Sequence, residues 1–466
     1  MIELSLAEVA SAIGGKLLNG YSDLKITSSV ETDSRLVNEG ALFFAKPGEF
    51  NDGHNFVSEV AAKGAVAAVV ERKLEIDFPQ ILVTDSVLAL GKLAEFVVAT
   101  VKAQGNLRLI GVTGSNGKTT TKNMLYAILS KFGPTVAPIE SYNNEVGAPI
   151  SMLKIDFETR FLVVEMGAGG VGSIAYLANM AKPDIAIELK VGLAHVGEFG
   201  DISVTQKIKA ELVQALGKTD VAILNQDDVA VAEMAELTEA TKVWFGSSPS
   251  ANYQISNVDL SIHGTTFSLR FPDGESRTVG LRILGEHHTF NATAALAAAD
   301  CLGLDRTMAI AAIEEMQLAE RWRMQLLRRK DGVMVINDAY NASPDSMKAA
   351  LQTLAHLGRG KHRTIAVLGE MAELGAYSVE QHDAIGRLAV RYNIDYVIAV
   401  GKVARLIHLG AMQEGSWAGE SKHFEEIDEA LAYLRAMLEP GDLVLVKSSK
   451  SANLRFLGDQ LAEVQQ

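Results

Sequence analysis

Leu109-Ile110-Gly111-Val112-Thr113-Gly114-Ser115-Asn116-Gly117-Lys118-Thr119-Thr120 is the stretch whose reading decides the fold. An apolar run, residues 108–112, enters a glycine-containing turn, and a helical pattern starts near Lys118. The first N–H groups of a helix lack intrahelical partners and its dipole favours anions, so this turn is suited to phosphate oxygens. In such a loop Lys118 would reach the terminal phosphates and the Thr119 hydroxyl would hold Mg²⁺. Thr113, Gly114, Ser115, Asn116, Gly117, Lys118, Thr119 and Thr120 are the expected nucleotide-binding loop. The spacing is shorter than the general GxxxxGK form, because Val112 stands where its first glycine belongs. A glycine-rich turn with a surface lysine is the alternative, and the flanking strand and helix argue against it.

Working outward, buried-looking strands at Phe161–Glu165, 184–188 and 221–224 alternate with helices, the pattern of a mostly parallel sheet. Residues 253–284 read as hairpins with a turn at Pro272-Asp273-Gly274, followed by an alanine-rich helix at 291–302. Upstream, apolar runs at 41–45, 65–71 and 80–84 precede a helix at 86–104, broken by Gln104-Gly105-Asn106. Downstream, strands at 333–336, 363–368, Tyr396–Val400 and 443–446 are again separated by helices. The expected fold is α/β in three domains: 1–104, 105–318 with the phosphate loop, and a Rossmann-like unit at 319–466.

Composition sets the outer limits. A chain of 466 residues exceeds one ordinary core. A net charge of −14 argues against a nucleic-acid surface, which needs clustered Lys and Arg. A single cysteine, Cys301, excludes an intramolecular disulfide framework and fits a reducing compartment. The chain opens without a secretory pattern, and no run approaches the roughly 18 apolar residues of a membrane span. A cytoplasmic, monomeric enzyme without membrane insertion is the expectation.

Three further features bear on chemistry. Gly167-Ala168-Gly169-Gly170-Val171-Gly172 matches GxGxxG, but the acidic residue due about 20 positions later is misplaced. Glu165 ends an apolar strand, where open α/β sheets place ligand groups, so it is read as a metal-binding acid; capping of the next helix is the alternative. In a helix at 202–216, Ile208, Leu212, Val213 and Leu216 form an apolar stripe, and Lys209 projects into it. A buried ammonium is costly, so Lys209 is either chemically converted or snorkels to solvent. Lys207 lies opposite, spaced to pair with Glu211.

The phosphate loop, together with motifs through all three blocks, resembles the Mur ligase family, whose members join amino acids or peptides to a carboxylate through an acyl phosphate. In that family a Glu after the second central strand binds Mg²⁺, matching Glu165, and a histidine matching His195 binds a second Mg²⁺. A carbamylated lysine in Lys-x-Glu matches Lys209. Gly285-Glu286-His287-His288-Thr289-Phe290-Asn291 resembles Gly-x-His-Asn-x-x-Asn, with Asn291 reading adenine and His288 replacing the first Asn. Asn291 as the cap of the following helix is the alternative. Arg323 in Trp322-Arg323-Met324 resembles the arginine that reaches the triphosphate from the neighbouring domain. Asp338 opens Asp338-Ala339-Tyr340-Asn341-Ala342-Ser343-Pro344, and Glu370 replaces Asp in Leu368-Gly369-Glu370-Met371. Lys447-Ser448-Ser449-Lys450 stands where Lys-Gly-Ser-Arg is usual.

Segments around Thr32-Asp33-Ser34-Arg35 and Ser141-Tyr142-Asn143-Asn144-Glu145 resemble those of the branch that joins D-Ala-D-Ala to UDP-MurNAc-tripeptide. The resemblance therefore implies ATP and Mg²⁺ as cofactors and those two molecules as substrates. It implies Lys118, Lys209 and His195 as catalytic, and Asn291, Arg323 and Asp338 as ATP-binding. Ser34, Arg35, Asn143, Asn144 and Glu145 are the implied substrate-binding residues, and Thr119, Glu165, His195 and Lys209 the metal-binding ones. A folate polyglutamate ligase would not need the first block's UDP-sugar segments. A nucleotide switch would not need two metal sites and an arginine from another domain.

Overall fold

The computed structural model describes residues 1–463 except 20, 49, 50, 140, 194, 195, 318, 319 and 416, and describes Glu198 without its side chain. Three larger sheets follow one another along the chain. The first has five strands, with Leu42–Phe44, Ala67–Val70 and Gln80–Leu82 in parallel at its centre. Each strand is shorter than its apolar run. The helix Ser86–Lys102 then leads out, started by the Asp85 carboxylate, which accepts from the N–H groups of Val87 and Leu88.

The second sheet has nine strands. Arg108–Thr113 lies between Phe161–Glu165 and Ile185–Glu188, all parallel. Val221–Asn225, Thr241–Gly246 and Tyr253–Ser261 extend it in parallel, and Gly264–Arg270 and Ser276–Leu281 close it as antiparallel hairpin strands. The strand expected at 184–188 starts one residue later. Asp184 turns its carboxylate onto the Leu109 N–H, at 2.7 Å, and the Lys102 amine, at 3.0 Å. The third sheet has six strands, five of them parallel and Gln325–Arg328 antiparallel at one edge.

Packing follows from the strand alternation of side chains. Ile110, Val112 and Ile187 enter a core on one face of the central sheet, under the alanine-rich helix; Leu109 and Ala186 enter the core on the other. That second core is continuous with the first sheet's core through Leu93, Val97 and Val101. The third sheet has its own pair of cores, and one of them takes in Val196 and Leu284 from the central unit. Among the described residues no helix is long and apolar enough to cross a membrane.

Two expectations are corrected here. The helix placed at 291–302 is His287–Cys301, so Asn291 sits in its second turn and does not cap it. Glu211 does not pair with Lys207. Its carboxylate accepts from Gly172 N at 2.6 Å and Ala175 N at 2.9 Å, across to the start of the helix Ser173–Ala181. That contact also disposes of GxGxxG as a dinucleotide site, because the protein's own carboxylate fills the anion position at the helix start.

Candidate active site

The phosphate loop is held open by its glycines. Gly117 has φ +89°, and a Cβ there would collide with the Asn291 amide oxygen. Gly114, at φ +148°, lies so close to Leu189 that a Cβ would come within 2.9 Å of that side chain. Ser115 ties the loop to the segment just beyond the strand Ile185–Glu188: its N–H donates to Lys190 O at 2.7 Å, and its hydroxyl accepts from Gly192 N at 2.9 Å. The helix Lys118–Leu129 starts without a side-chain cap, which leaves its first N–H groups to a ligand.

Around this loop lies a cavity of about 410 Å³. Lys118 donates to Gly114 O at 2.7 Å. Loss of surrounding water pulls its pKa down, opposed by Glu165 and reinforced by Arg323. Glu165 accepts from Asn143 Nδ2 at 2.7 Å and from Thr119 Oγ1 at 3.3 Å, all on Oε1. Its Oε2 is buried without a hydrogen-bond partner among the described residues. Thr119 also lies 3.3 Å from the Ser141 hydroxyl. An orphaned carboxylate oxygen beside two hydroxyls and an amide fits a hard divalent cation whose other ligands are phosphates and water. Glu165 does not cap the helix that follows; Gly172 is at that position.

The third unit reaches this cavity directly. Arg323 Nη2 donates to Thr119 Oγ1 at 3.4 Å, its Nε to Glu320 at 2.5 Å, and its guanidinium lies 4.5 Å from the centre of the Tyr340 ring. The residues on either side of it, Trp322 and Met324, have φ +61° and +48°, so the turn that presents Arg323 is held in the left-handed region. Asp338 accepts from Met324 N at 3.0 Å and from the buried Lys447 amine at 2.7 Å. The Ser343 hydroxyl donates to Asn116 Oδ1 at 3.1 Å, and Lys190 binds Asp345 at 2.9 Å.

Lys209 is 2% exposed on its helix, and Glu188 is fully buried at the end of its strand. Neither Glu188 oxygen has a hydrogen-bond partner among the described residues. Burial, with Lys118 nearby, pulls the Lys209 amine down to about 7, against the pull of Glu188. Burial pushes Glu188 well up, opposed by Lys209. The snorkelling alternative is thus not the one seen. His195 lies outside the described residues.

A second cavity, of about 570 Å³, adjoins the first across Gly117 and Asn291 and is lined by Leu260, Phe290 and Thr353 among others. Asn291 donates to His288 Nδ1 at 3.2 Å when that nitrogen is the acceptor. The rings of His287 and His288 lie 4.1 Å apart. Of the residues expected to bind substrate, Asn143, Asn144 and Glu145 line the first cavity. The Asn144 side chain is occupied, accepting from Gly147 N at 2.8 Å. Ser34 and Arg35 line neither cavity; Arg35 is bound to Asp33 at 2.6 Å. Sequence reasoning gave no role to Lys190, Ser141, His287, Tyr340 or Lys447, which also line the first cavity. Lys190 was discoverable, as a charge just beyond the carboxyl end of a buried strand.

Residues 27–109, 112–299 and 322–450 match, in turn, the models of the Mur ligase family catalytic domain, the Mur ligase middle domain and the Mur ligase glutamate ligase domain. The chain belongs to the Mur ligase family. A relative from Mycobacterium tuberculosis, named UDP-N-acetylmuramoyl-tripeptide–D-alanyl-D-alanine ligase, is 40% identical, the match covering 99% of this chain and 98% of that one. A crystal structure of MurF from Acinetobacter baumannii superposes with a TM-score of 0.90 at 31% identity, covering 99% of both chains. MurF ligase from Thermotoga maritima in complex with ADP gives 0.82 at 27% identity, over 94% of this Mur ligase and 98% of that one.

Proposed function

We propose that this Mur ligase joins D-Ala-D-Ala to UDP-MurNAc-tripeptide at the expense of ATP, in the synthesis of a peptidoglycan precursor. The observation that carries this reading is the meeting, in one cavity, of the phosphate loop, the orphaned Glu165 oxygen and Arg323 from the third unit. Full-length similarity to ligases of that name supports it. We assign 1–104 to the UDP-substrate, 105–318 to ATP, and 319–466 to the Rossmann-like unit that completes the site. The enzyme is proposed to act as a monomer in the cytoplasm.

In the first step an oxygen of the tripeptide carboxylate attacks the γ-phosphorus of ATP, and the bond to ADP breaks. In the second the dipeptide amine attacks the acyl carbon, phosphate leaves, and the amine gives up a proton. Lys118 and Arg323 offset charge on the phosphoryl oxygens as it builds. Thr119 and Glu165 are the residues that would hold Mg²⁺, with Lys209 and His195 assigned to a second ion. Magnesium, when bound, supplies Lewis-acid polarisation of the phosphates. Asp338 is proposed to act on the nucleotide from its bridge with Lys447, and Asn291 to meet the adenine side. Asn143, Asn144, Glu145, Ser34 and Arg35 remain the candidates for the UDP-substrate, the last two from the first unit and outside both cavities.

Phosphate release tests the reading. It should require ATP, UDP-MurNAc-tripeptide and D-Ala-D-Ala together for steady turnover. Equal release without the dipeptide would mark a hydrolytic switch and overturn the ligase assignment.

A further inference from the structure

Lys190 stands at the passage between the two cavities and lines both. Its backbone is fixed to the phosphate loop, since its carbonyl accepts from Ser115 N at 2.7 Å. Its side chain is 43% exposed and ends on Asp345 Oδ1 at 2.9 Å. Asp345 likewise lines both cavities, so the ion pair forms the partition between them.

Each lysine and arginine of the first cavity has a protein partner, and of the four Lys190 is the one that also lines the second cavity. Lys118 donates to a loop carbonyl, Arg323 to Glu320 and Lys447 to Asp338. The second cavity carries Asp227, Asp228 and Glu286 against Lys190 and Lys348, a wall that repels phosphates. A nucleotide with its terminal phosphates at Lys118 and its nucleoside in the second cavity would carry its phosphate chain across the junction that Gly117, Asn291 and Lys190 line together. A lysine on a flexible stem with three donors is suited to exchange one anion for another.

We infer that Lys190 is a second phosphate-binding cation, and that whenever the units close without nucleotide the Asp345 carboxylate takes the place of a nucleoside polyphosphate on its amine. The inference rests on the proposed placement of ATP across the two cavities. It gives the ion pair a task beyond joining two domains. Asp345 competes for the amine that the nucleotide uses, so entry of the phosphate chain frees the carboxylate at the start of the helix Pro344–Gly358.

Calorimetric titration of the full chain with adenosine, AMP, ADP and ATP tests this. Lys190→Met should weaken ATP and ADP by about tenfold, with adenosine changed by less than about twofold, as expected for loss of one charge-assisted contact. Lys190→Arg should restore most of the binding and so exclude misfolding as the cause. Asp345→Asn should act in the opposite direction and tighten ATP by about threefold, because the amine is no longer held by a carboxylate. A simple domain clasp predicts that both variants weaken ATP alike, and that result would overturn the proposal. Unchanged ATP affinity in Lys190→Met would overturn it too. If Lys118→Ala loses ATP while Lys190→Met keeps it, the ATP site stands and only this inference falls. Failure of the unaltered chain to bind ATP removes both.

Discussion

Lys209 shows how a single side chain ties burial to chemistry. Burial, with Lys118 nearby, holds the Lys209 amine well below the ordinary lysine range, so its unprotonated form is far more accessible at neutral pH than that of an exposed lysine. Carbamylation needs that free amine: the nitrogen bonds to the carbon of CO₂, and a proton is released. The anion so formed would stand near Glu188, neither of whose oxygens has a hydrogen-bond partner among the described residues, and a cation between them would favour the ionised form of both carboxylates. Lys209→Ala should therefore lose activity by about 100-fold or more with the fold intact. A small carboxylate such as acetate should restore part of it, and Lys209→Arg should not, since guanidinium cannot become a carboxylate. Carbon-13 NMR under labelled CO₂ should show the carbamate in the unaltered enzyme alone. Full activity in Lys209→Ala would sink the idea. Lys209 was legible in the sequence because a charge within an apolar stripe breaks a period. Glu188 was not, because its significance comes from a helix about twenty residues away. The phosphate loop was legible for a third reason: backbone N–H groups do the binding, so glycines at set positions are visible without any partner.

Two helix starts give predictions of their own. Glu211 supplies both acceptors at the start of Ser173–Ala181, so Glu211→Ala should cost about 1–2 kcal/mol in urea unfolding. Lys207→Ala, on the exposed side of the same helix, should stay within about 0.5 kcal/mol. Equal effects of the two would show that the pair expected from i,i+4 spacing is the one that counts. At the start of His287–Cys301, burial pulls His287 down to about 4 and His288 well below the ordinary imidazole range, so both are neutral in the folded chain. Each then binds a proton more readily when unfolded, so stability is complete above about pH 6.5 and falls as pH drops towards 4. The unfolding midpoint of a His287→Asn, His288→Asn variant should decline less steeply across that window; parallel curves would count against neutral burial. Element boundaries were least legible at these starts. The strand Phe161–Glu165 has the bounds its apolar run gave. The helix at His287 lacks a side-chain cap and opens on His-His-Thr-Phe, with neither an N-cap residue nor a period to mark it.

At the scale of the molecule, the two junctions between sheets differ in kind. The first and central units share a continuous apolar core, so separating them exposes Leu93, Val97 and Val101 to water. The third unit meets the phosphate loop mainly through polar contacts: Lys190 with Asp345, Asn116 with Ser343, and Thr119 with Arg323. Part-exposed ion pairs of this sort are worth about 0–1 kcal/mol each. Among the described residues the apolar share is smaller than at the first junction: Val196 and Leu284 are buried in the third unit's core, Leu193, Leu260 and Ile262 pack against it, and Gly197 N donates to Glu373 O at 2.9 Å. The third unit is therefore the one that can part from the others at low cost, and the arrangement with Arg323 on Thr119 is the closed one. On the proposed mechanism, closure would bring Arg323 and Asp338 to a nucleotide held by the central unit and keep water from the acyl phosphate. Small-angle scattering should give a larger radius of gyration for the free enzyme than this structure has. Adding a non-hydrolysable ATP analogue and the UDP-substrate should bring the profile to that of the closed form. The first and central units should keep their mutual distance throughout, which a pair of labels on Ser86–Lys102 and Ser173–Ala181 can read. A profile already closed without ligand, and unchanged by it, would remove the moving third unit from the mechanism and leave Arg323 a fixed part of the site.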